Sequence, residues 1–272
     1  MQITMDKQAV KASFSKAAVH YDQFADLQRE IGHHLIQLTD HSETQPVNQW
    51  GSVLDLGCGT GYFSALLNDF FGKNTQLTCF DLSPKMLQQA SLRQLQNTQF
   101  VEGDIDILPF TVNQFDLVFS NLVLQWSEHL QQSLKQIKQT MNPDAELYFS
   151  TLLDGSLFEL QQAWKAVDAL PHINDFLTKK QVTQALKGAG FTRFTVTTET
   201  RVKKFNDIVS VMKALKGIGA NHVHHGNKAR MSGRQLLQQL EQGYAPYKDA
   251  RGHYNLSYQV CYVVAFQDNK NV

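Results

Sequence analysis

The stretch Val53-Leu54-Asp55-Leu56-Gly57-Cys58-Gly59-Thr60-Gly61-Tyr62-Phe63 restricts the fold more than any other part of the chain. An apolar run of strand type ends in an acid, passes through three glycines at alternate positions, and enters a run with Phe63, Leu66, Leu67 and Phe70 at helical spacing. The pattern describes a strand, a tight loop and the start of a helix. Alternate glycines let the backbone take positive φ and let a ligand approach the main chain closely. A dinucleotide cradle reads GxGxxG, and here Tyr62 stands where its third glycine would ease helix packing. Asp55 at the head of the loop suits a ligand with a cationic end better than a diphosphate.

The segments that follow repeat the alternation. Gln76 to Asp81 reads as a second strand ending in an acid. An acid there can accept hydrogen bonds from a ribose diol, because its two oxygens face both hydroxyls. Leu82-Ser83-Pro84 starts a helix with Ser83 as cap and Pro84 in the first turn, and Met86 lies on that turn. A third strand over 99–101 leads to Asp104-Ile105, an acid and an aliphatic residue suited to the amino edge and face of an adenine. Pro109-Phe110 and Phe115 to Ser120 are expected as the fourth strand, followed by Asn121-Leu122 and Gln125-Trp126. A helix over about 128–141, closed by Asn142-Pro143, precedes a fifth strand from Ala145 to Thr151. Strands alternating with helices predict a parallel sheet covered on both faces.

Ahead of this core, residues 5–38 carry Phe14, Ala17, Tyr21, Phe24, Leu27, Ile31 and Leu35 at helical spacing, with a break near Tyr21-Asp22. A helical cap packed on the core and a cover over the ligand both fit. Beyond the core, helices are expected at Leu157–Leu170 and Lys179–Lys187. A strand follows over Phe191–Glu199, then broken helix over 206–241 and a last strand over Tyr258–Phe266. The division that follows is 1–50 as a helical cap, 51–200 as the core, 201–256 as a helical lid or substrate insertion, and 257–272 as the final core strand and tail.

Composition limits the partners. Hydrophobic residues make up 42% of 272, enough for a substantial core, and the formal charge is zero, so the whole molecule has no pull toward nucleic acid or membrane. The charge is uneven, however. Residues 201–240 hold Arg201, Lys203, Lys204, Lys213, Lys216, Lys228, Arg230 and Arg234 against Asp207 alone, a balance of +7. A basic face for an acidic partner and a solvated lysine-bearing region both account for it. Cys58, Cys79 and Cys261 lack metal-ligand spacing and read as buried reduced thiols of a cytoplasmic protein. No apolar run of membrane-spanning or signal-peptide type is present. His222-x-His224-His225 has no carboxylate or cysteine beside it, so no metal site is assigned.

Taken together, Asp55-x-Gly57-x-Gly59-x-Gly61, Asp81-Leu82-Ser83, Asp104-Ile105 and Ser120-Asn121-Leu122 resemble the motifs of class I S-adenosylmethionine (SAM) methyltransferases. That resemblance implies an α/β, Rossmann-like sheet of seven mostly parallel strands with helices on both faces and a helical lid insertion. It also implies that SAM is used and S-adenosylhomocysteine is released. The flanks are similar to the malonyl-acyl carrier protein O-methyltransferases of biotin synthesis. The matching stretches are Phe14-x-x-Ala17-x-x-x-Tyr21-x-x-x-Ala25-x-x-Gln28, Leu122-x-x-Gln125-Trp126, Gly155-Ser156-Leu157-x-x-Leu160-x-x-Ala163-Trp164-x-x-Val167-Asp168, Pro171-His172-x-Asn174-x-Phe176 and Leu215-Lys216-Gly217-Ile218-Gly219-Ala220-x-His222. The implied reaction is methylation of the free carboxylate of a malonyl thioester on acyl carrier protein, with malonyl-CoA as a second acceptor. In such an enzyme the cofactor would meet Tyr21, Gln28, Asp55, Gly57, Gly59, Gly61, Asp81, Leu82, Met86, Asp104, Ile105, Asn121 and Leu122. The acceptor would meet Tyr21, Trp126, Lys216 and His222. A malonyl carboxylate, with an ordinary pKa of about 4, needs no general base, so no catalytic residue is expected. Rival readings are a methyltransferase for another small acceptor such as a quinone precursor, and an NAD-dependent oxidoreductase.

Overall fold

A computed structural model of the chain describes residues 6–39, 50–72, 74–168, 170–220 and 233–268. The N-terminal stretch forms two helices, α1 (Lys7–Ala17) and α2 (Asp26–Thr39), joined through a 3-10 turn at Tyr21–Gln23. Asp6 caps α1 by accepting from the Ala9 amide at 2.9 Å. Tertiary contacts override the helical spacing at the break. The Asp22 carboxylate accepts from the Thr60 hydroxyl at 2.6 Å and from Arg93 at 2.7 Å, which turns the chain back over the glycine loop.

Strand β1 (Ser52–Leu56) runs through that loop into α3 (Tyr62–Phe71), and β2 (Gln76–Asp81) runs into α4 (Pro84–Ser91). The Ser83 side chain accepts from the Met86 amide and Pro84 opens the helix, as the sequence predicts. Then follow β3 (Thr98–Glu102), β4 (Phe115–Asn121), α5 (Leu130–Thr140), β5 (Met141–Leu152), α6 (Phe158–Lys165) and α7 (Lys179–Gly188). The chain continues through β6 (Arg193–Phe205), α8 (Ile208–Gly217), α9 (Gly233–Tyr244) and β7 (Tyr254–Phe266).

Several boundaries differ from expectation for identifiable reasons. Pro109-Phe110 lies outside β4, and the Phe110 ring wedges edge-on between Phe80 and Phe115, with centroids 5.5 and 5.0 Å away. Asn142-Pro143 does not end α5 but bulges within β5. Met141 pairs with Phe115 and Glu146 with Leu117, so the residues between are extruded, with Asp144 at φ 63°. A proline without a donor amide is tolerated at such a bulge. Strands β6 and β7 both start or end farther out than their apolar runs. They form one antiparallel hairpin from Arg193↔Phe266 to Phe205↔Tyr254, and β6 alternates because it lies at the sheet edge.

The seven strands lie in the order β3-β2-β1-β4-β5-β7-β6, with β1 to β5 parallel and β7 antiparallel to both neighbours. Strand β1 is flanked by β2 on one side and β4 on the other, so the winding reverses there. A crevice opens outside the carboxyl ends of β1 and β4, where open α/β sheets bind ligands. Side chains of β1 alternate between two apolar layers. Val53 belongs to the layer that holds Ile31, Leu35, Phe63 and Leu67 of α2 and α3, whereas Leu54 and Leu56 belong to the layer containing Leu134 and Ile137 of α5 and Leu186 of α7. No helix among the described residues is long and apolar enough to cross a membrane.

Candidate active site

At the end of β1 the loop is fixed by its own backbone. The amides of Gly57 and Cys58 both donate to the Phe80 carbonyl, at 2.7 and 2.9 Å. Asp81 ties the loop to the start of α4. One carboxylate oxygen accepts from the Gly59 amide at 2.9 Å and the other from the Ser83 amide at 2.8 Å. Two of the glycines have different jobs. Gly59, at φ 54°, has open space where a Cβ would stand, so its main chain faces the cleft. At Gly61, φ is 76° and a Cβ would stand 2.8 Å from the Ala90 Cβ, so this glycine serves close packing of α3 on α4.

Two adjoining hollows occupy the crevice and share Tyr21, Gly57, Gly59 and Asn121. The larger encloses about 640 Å³ and is bounded by Asp81, Leu82, Met86, Asp104, Ile105, Leu122 and Trp126. The smaller encloses about 440 Å³ and includes Gln28, Asp55, Arg29 and Tyr62. Hollows of this size, open on one side to solvent, accommodate a small molecule.

Acceptor groups punctuate a lining that is more apolar than polar. Burial pushes the Asp55 carboxyl up to about 7, against the Ser64 hydroxyl that donates to it at 2.5 Å. Burial also raises Asp81 to about 6, opposed by the Ser83 and Gly59 amides. Burial, then the charges of Asp81 and Asp22, lift the Tyr21 hydroxyl above its ordinary value, so it remains a neutral donor. The Gln28 side-chain oxygen is buried with no hydrogen-bond partner among the described residues, and its main-chain carbonyl accepts from the Asn121 amide group at 3.0 Å. Two carboxyls near their titration points and an orphaned amide oxygen call for a ligand that brings positive charge and hydroxyl or amine donors.

The N-terminal helices close this crevice. The Lys7 ammonium bridges Asp104 at 2.8 Å and Asp106 at 2.7 Å, Lys11 pairs with Glu102, and the Ser15 and Ser83 hydroxyls meet at 2.8 Å. Phe14 packs edge-on against Trp126 with centroids 5.4 Å apart, and both rings line the larger hollow. Of the residues named from the sequence, Gly61 turns toward α4 rather than the crevice. Lys216 is exposed in the last turn of α8 and lines neither hollow. His222 lies outside the described residues. Sequence reasoning missed Lys7, Val10, Phe14, Arg29 and Val123 as lining. The first three stand at i, i+3 and i+7, a stripe legible as a helix face but not as the face that meets a ligand.

A sheet of this order, with a glycine-rich loop at its reversal and acids at successive strand ends, defines a class I methyltransferase fold. Residues 54–149 match the family model described as a methyltransferase domain. The arsenic(III) S-adenosylmethionine methyltransferase structure from Chlamydomonas reinhardtii superimposes with a TM-score of 0.51 at 16% identity, covering 90% of this chain and 74% of that one. Similarity in sequence is much stronger. The chain is 39% identical over 266 residues to the malonyl-[acyl-carrier protein] O-methyltransferase of Yersinia pestis, covering 98% of this chain and 94% of that protein. It is 37% identical to the one from Serratia marcescens, covering 97% and 98%. The chain belongs to the malonyl-[acyl-carrier protein] O-methyltransferase family. The oxidoreductase reading of the glycine loop is set aside.

Proposed function

We propose that this protein transfers a methyl group from SAM to the free carboxylate of a malonyl thioester carried on acyl carrier protein. The half-ester then serves as a primer for chain elongation toward biotin. The observation that carries this reading is the extent of the similarity, which runs through the N-terminal cover and the insertion before β7 as well as the core. SAM supplies, when bound, a methyl group activated by a positive sulfur. Support for its fit comes from the lining itself: Gln28 brings an oxygen unpartnered among the described residues, Asp55 and Asp81 bring buried carboxyls, and Gly59 leaves its main chain open.

In this reading Asp55 and Gln28 hold the amino acid end, Asp81 the ribose, and Asp104 with Ile105, Leu82 and Met86 the base. Asn121, Leu122 and Tyr21 face the reacting region. Tyr21 and Trp126 form the acceptor side. No side chain has to remove a proton, because the acceptor carboxylate is already ionised at neutral pH. The chain's contribution is orientation of the reactants and exclusion of water beneath α1 and α2. Residues 1–50 then act as cover, 51–200 as the cofactor core, 201–256 as the substrate insertion and 257–272 as the strand that completes the sheet. The cytoplasm suits three buried free thiols.

Mass spectrometry tests the proposal directly. Malonyl-carrier protein, malonyl-CoA and a phenolic quinone precursor are each incubated with enzyme and SAM. One added methyl on the carrier-bound malonyl group, lost on ester hydrolysis, is expected. Methylation of the phenol alone would replace the acceptor.

A further inference from the structure

Folding divides the +7 stretch into two parts. On β6, Arg201 pairs with Glu199 at 2.7 Å, Lys203 with Glu30 at 2.7 Å and Lys204 with Asp249 at 2.9 Å, so that strand is neutralised within the chain. Of the rest, Lys228 and Arg230 lie outside the described residues, Arg234 is exposed in the first turn of α9, and Lys213 and Lys216 are exposed one turn apart on α8. Among the described residues neither of these two lysines forms an ion pair within 4.0 Å.

The end of α8 rests directly on the N-terminal cover. A Cβ on Gly219 would stand 3.2 Å from the Phe14 Cα, and one on Gly217 would enter the Phe24 ring. Such contact requires bare backbone against both residues. Phe14 is also the ring that packs on Trp126 in the cleft wall. Two residues beyond it, Lys16 is exposed and likewise has no ion-pair partner among the described residues. Val19 and Phe24, 68% and 39% exposed, continue the surface. Three exposed cations and two exposed apolar side chains thus lie on the pair of segments that these glycine contacts bring together, behind the Phe14 ring that lines the cleft.

We propose that Lys16, Lys213 and Lys216, with Val19 and Phe24, form the docking surface for an acidic carrier protein, whose thioester arm enters past Phe14 and Trp126. The inference rests on the function proposed above and identifies its partner-binding surface. Cations beside exposed apolar groups suit an acidic protein: the charges steer encounter and fix register, and the apolar side chains supply desolvated contact. The paired lysines of β6 have no surplus charge to offer.

The test compares Lys16→Glu/Lys216→Glu with Lys180→Glu/Lys187→Glu, an equal charge change on α7 against the other apolar layer. Initial rates are measured with malonyl-carrier protein and with malonyl-CoA at low and high salt, and SAM affinity is measured by calorimetry. For Lys16→Glu/Lys216→Glu, we expect KM for the carrier-bound substrate to rise about tenfold at low salt, an increase that salt shrinks. The ratio of carrier to CoA efficiency should fall with it, while the α7 pair keeps the parent ratio. An unchanged ratio, or equal losses on both thioesters, would overturn the docking surface and leave the reaction intact. So would loss of a dimer at constant carrier KM, which would assign the surface to a second copy of the chain. A parent enzyme that methylates neither thioester overturns the functional reading itself, and the docking surface with it.

Discussion

Replacing Asp55 with asparagine removes a titrating group from the cleft floor at nearly constant volume. In the ligand-free chain burial lifts this carboxyl from an ordinary 3.8 to about 7. The folded state therefore keeps a proton that the unfolded chain has already released. Stability from this group is present in acid and is lost as pH rises between about 4 and about 7, to a limit of about 4 kcal/mol at pH 8. Asp81, raised to about 6, adds a loss of the same sign over a narrower window. Asp106 acts oppositely. Despite burial, the Glu128 amide and Lys7 hold it below its ordinary value, so its contribution is lost in acid. Only the difference between parent and Asp55→Asn isolates the single group, and that difference should grow in favour of the variant as pH rises. A cationic ligand reverses the balance, because it requires the carboxylate. With a pKa of about 7, about one site in ten is ionised at pH 6 and about nine in ten at pH 8. SAM affinity should then rise about tenfold over that interval in the parent and stay level in the variant. Urea unfolding at pH 5.5 and 8.5 checks the first statement. Calorimetry at pH 7 in two buffers of different ionisation enthalpy checks the second, and release of about half a proton per ligand is expected. A pH-independent stability difference together with proton-neutral binding would refute the reasoning.

Further expectations concern the loop and its cover. Gly61→Ala should lower stability by about 1–3 kcal/mol in urea titration, since the new methyl meets Ala90 and the backbone stays left-handed. Gly59→Ala should cost only about 1 kcal/mol yet weaken SAM binding at least tenfold, because its methyl would enter the ligand space. Similar binding losses at both positions would show that the two glycines do not divide the work. Lys7→Ala should raise KM for SAM about fivefold and speed proteolysis within α1, by releasing two ion pairs that hold the cover. Tyr21→Phe should lower kcat with little change in urea midpoint. Below pH 10 the phenolate absorbance of the parent should match that of Tyr21→Phe, because burial and two nearby acids keep the Tyr21 hydroxyl protonated.

Much of the core was legible because local and global demands agree there. Continuous apolar runs ending in Asp55 and Asp81 specify buried parallel strands, and Ser83-Pro84 specifies a helix start whatever surrounds it. The N-terminal break was legible in place, near Tyr21-Asp22, but not in cause. Alanines and aromatics keep helical spacing straight across it, and the chain turns only because Asp22 finds Thr60 and Arg93, 38 and 71 residues away. The β6 extension was hidden for a related reason: Arg201, Lys203 and Lys204 look like solvated loop until Glu199, Glu30 and Asp249 are brought beside them. The same pairing makes summed charge along a segment a poor guide to surface charge. Among candidate site residues, those fixed to strand ends were readable from register. Lys7 and Phe14 depend on how a helix lies across the sheet, which no local pattern encodes.

The Lys7 ammonium has a kinetic consequence. It bonds one oxygen of Asp104 and also Asp106, so in the reading proposed above a nucleoside that hydrogen-bonds Asp104 meets an acid already tied to α1 and has the other oxygen open to it. On that reading the tether couples the cover to the ligand it covers, and exchange of spent for fresh nucleoside should quicken when Lys7→Ala cuts it.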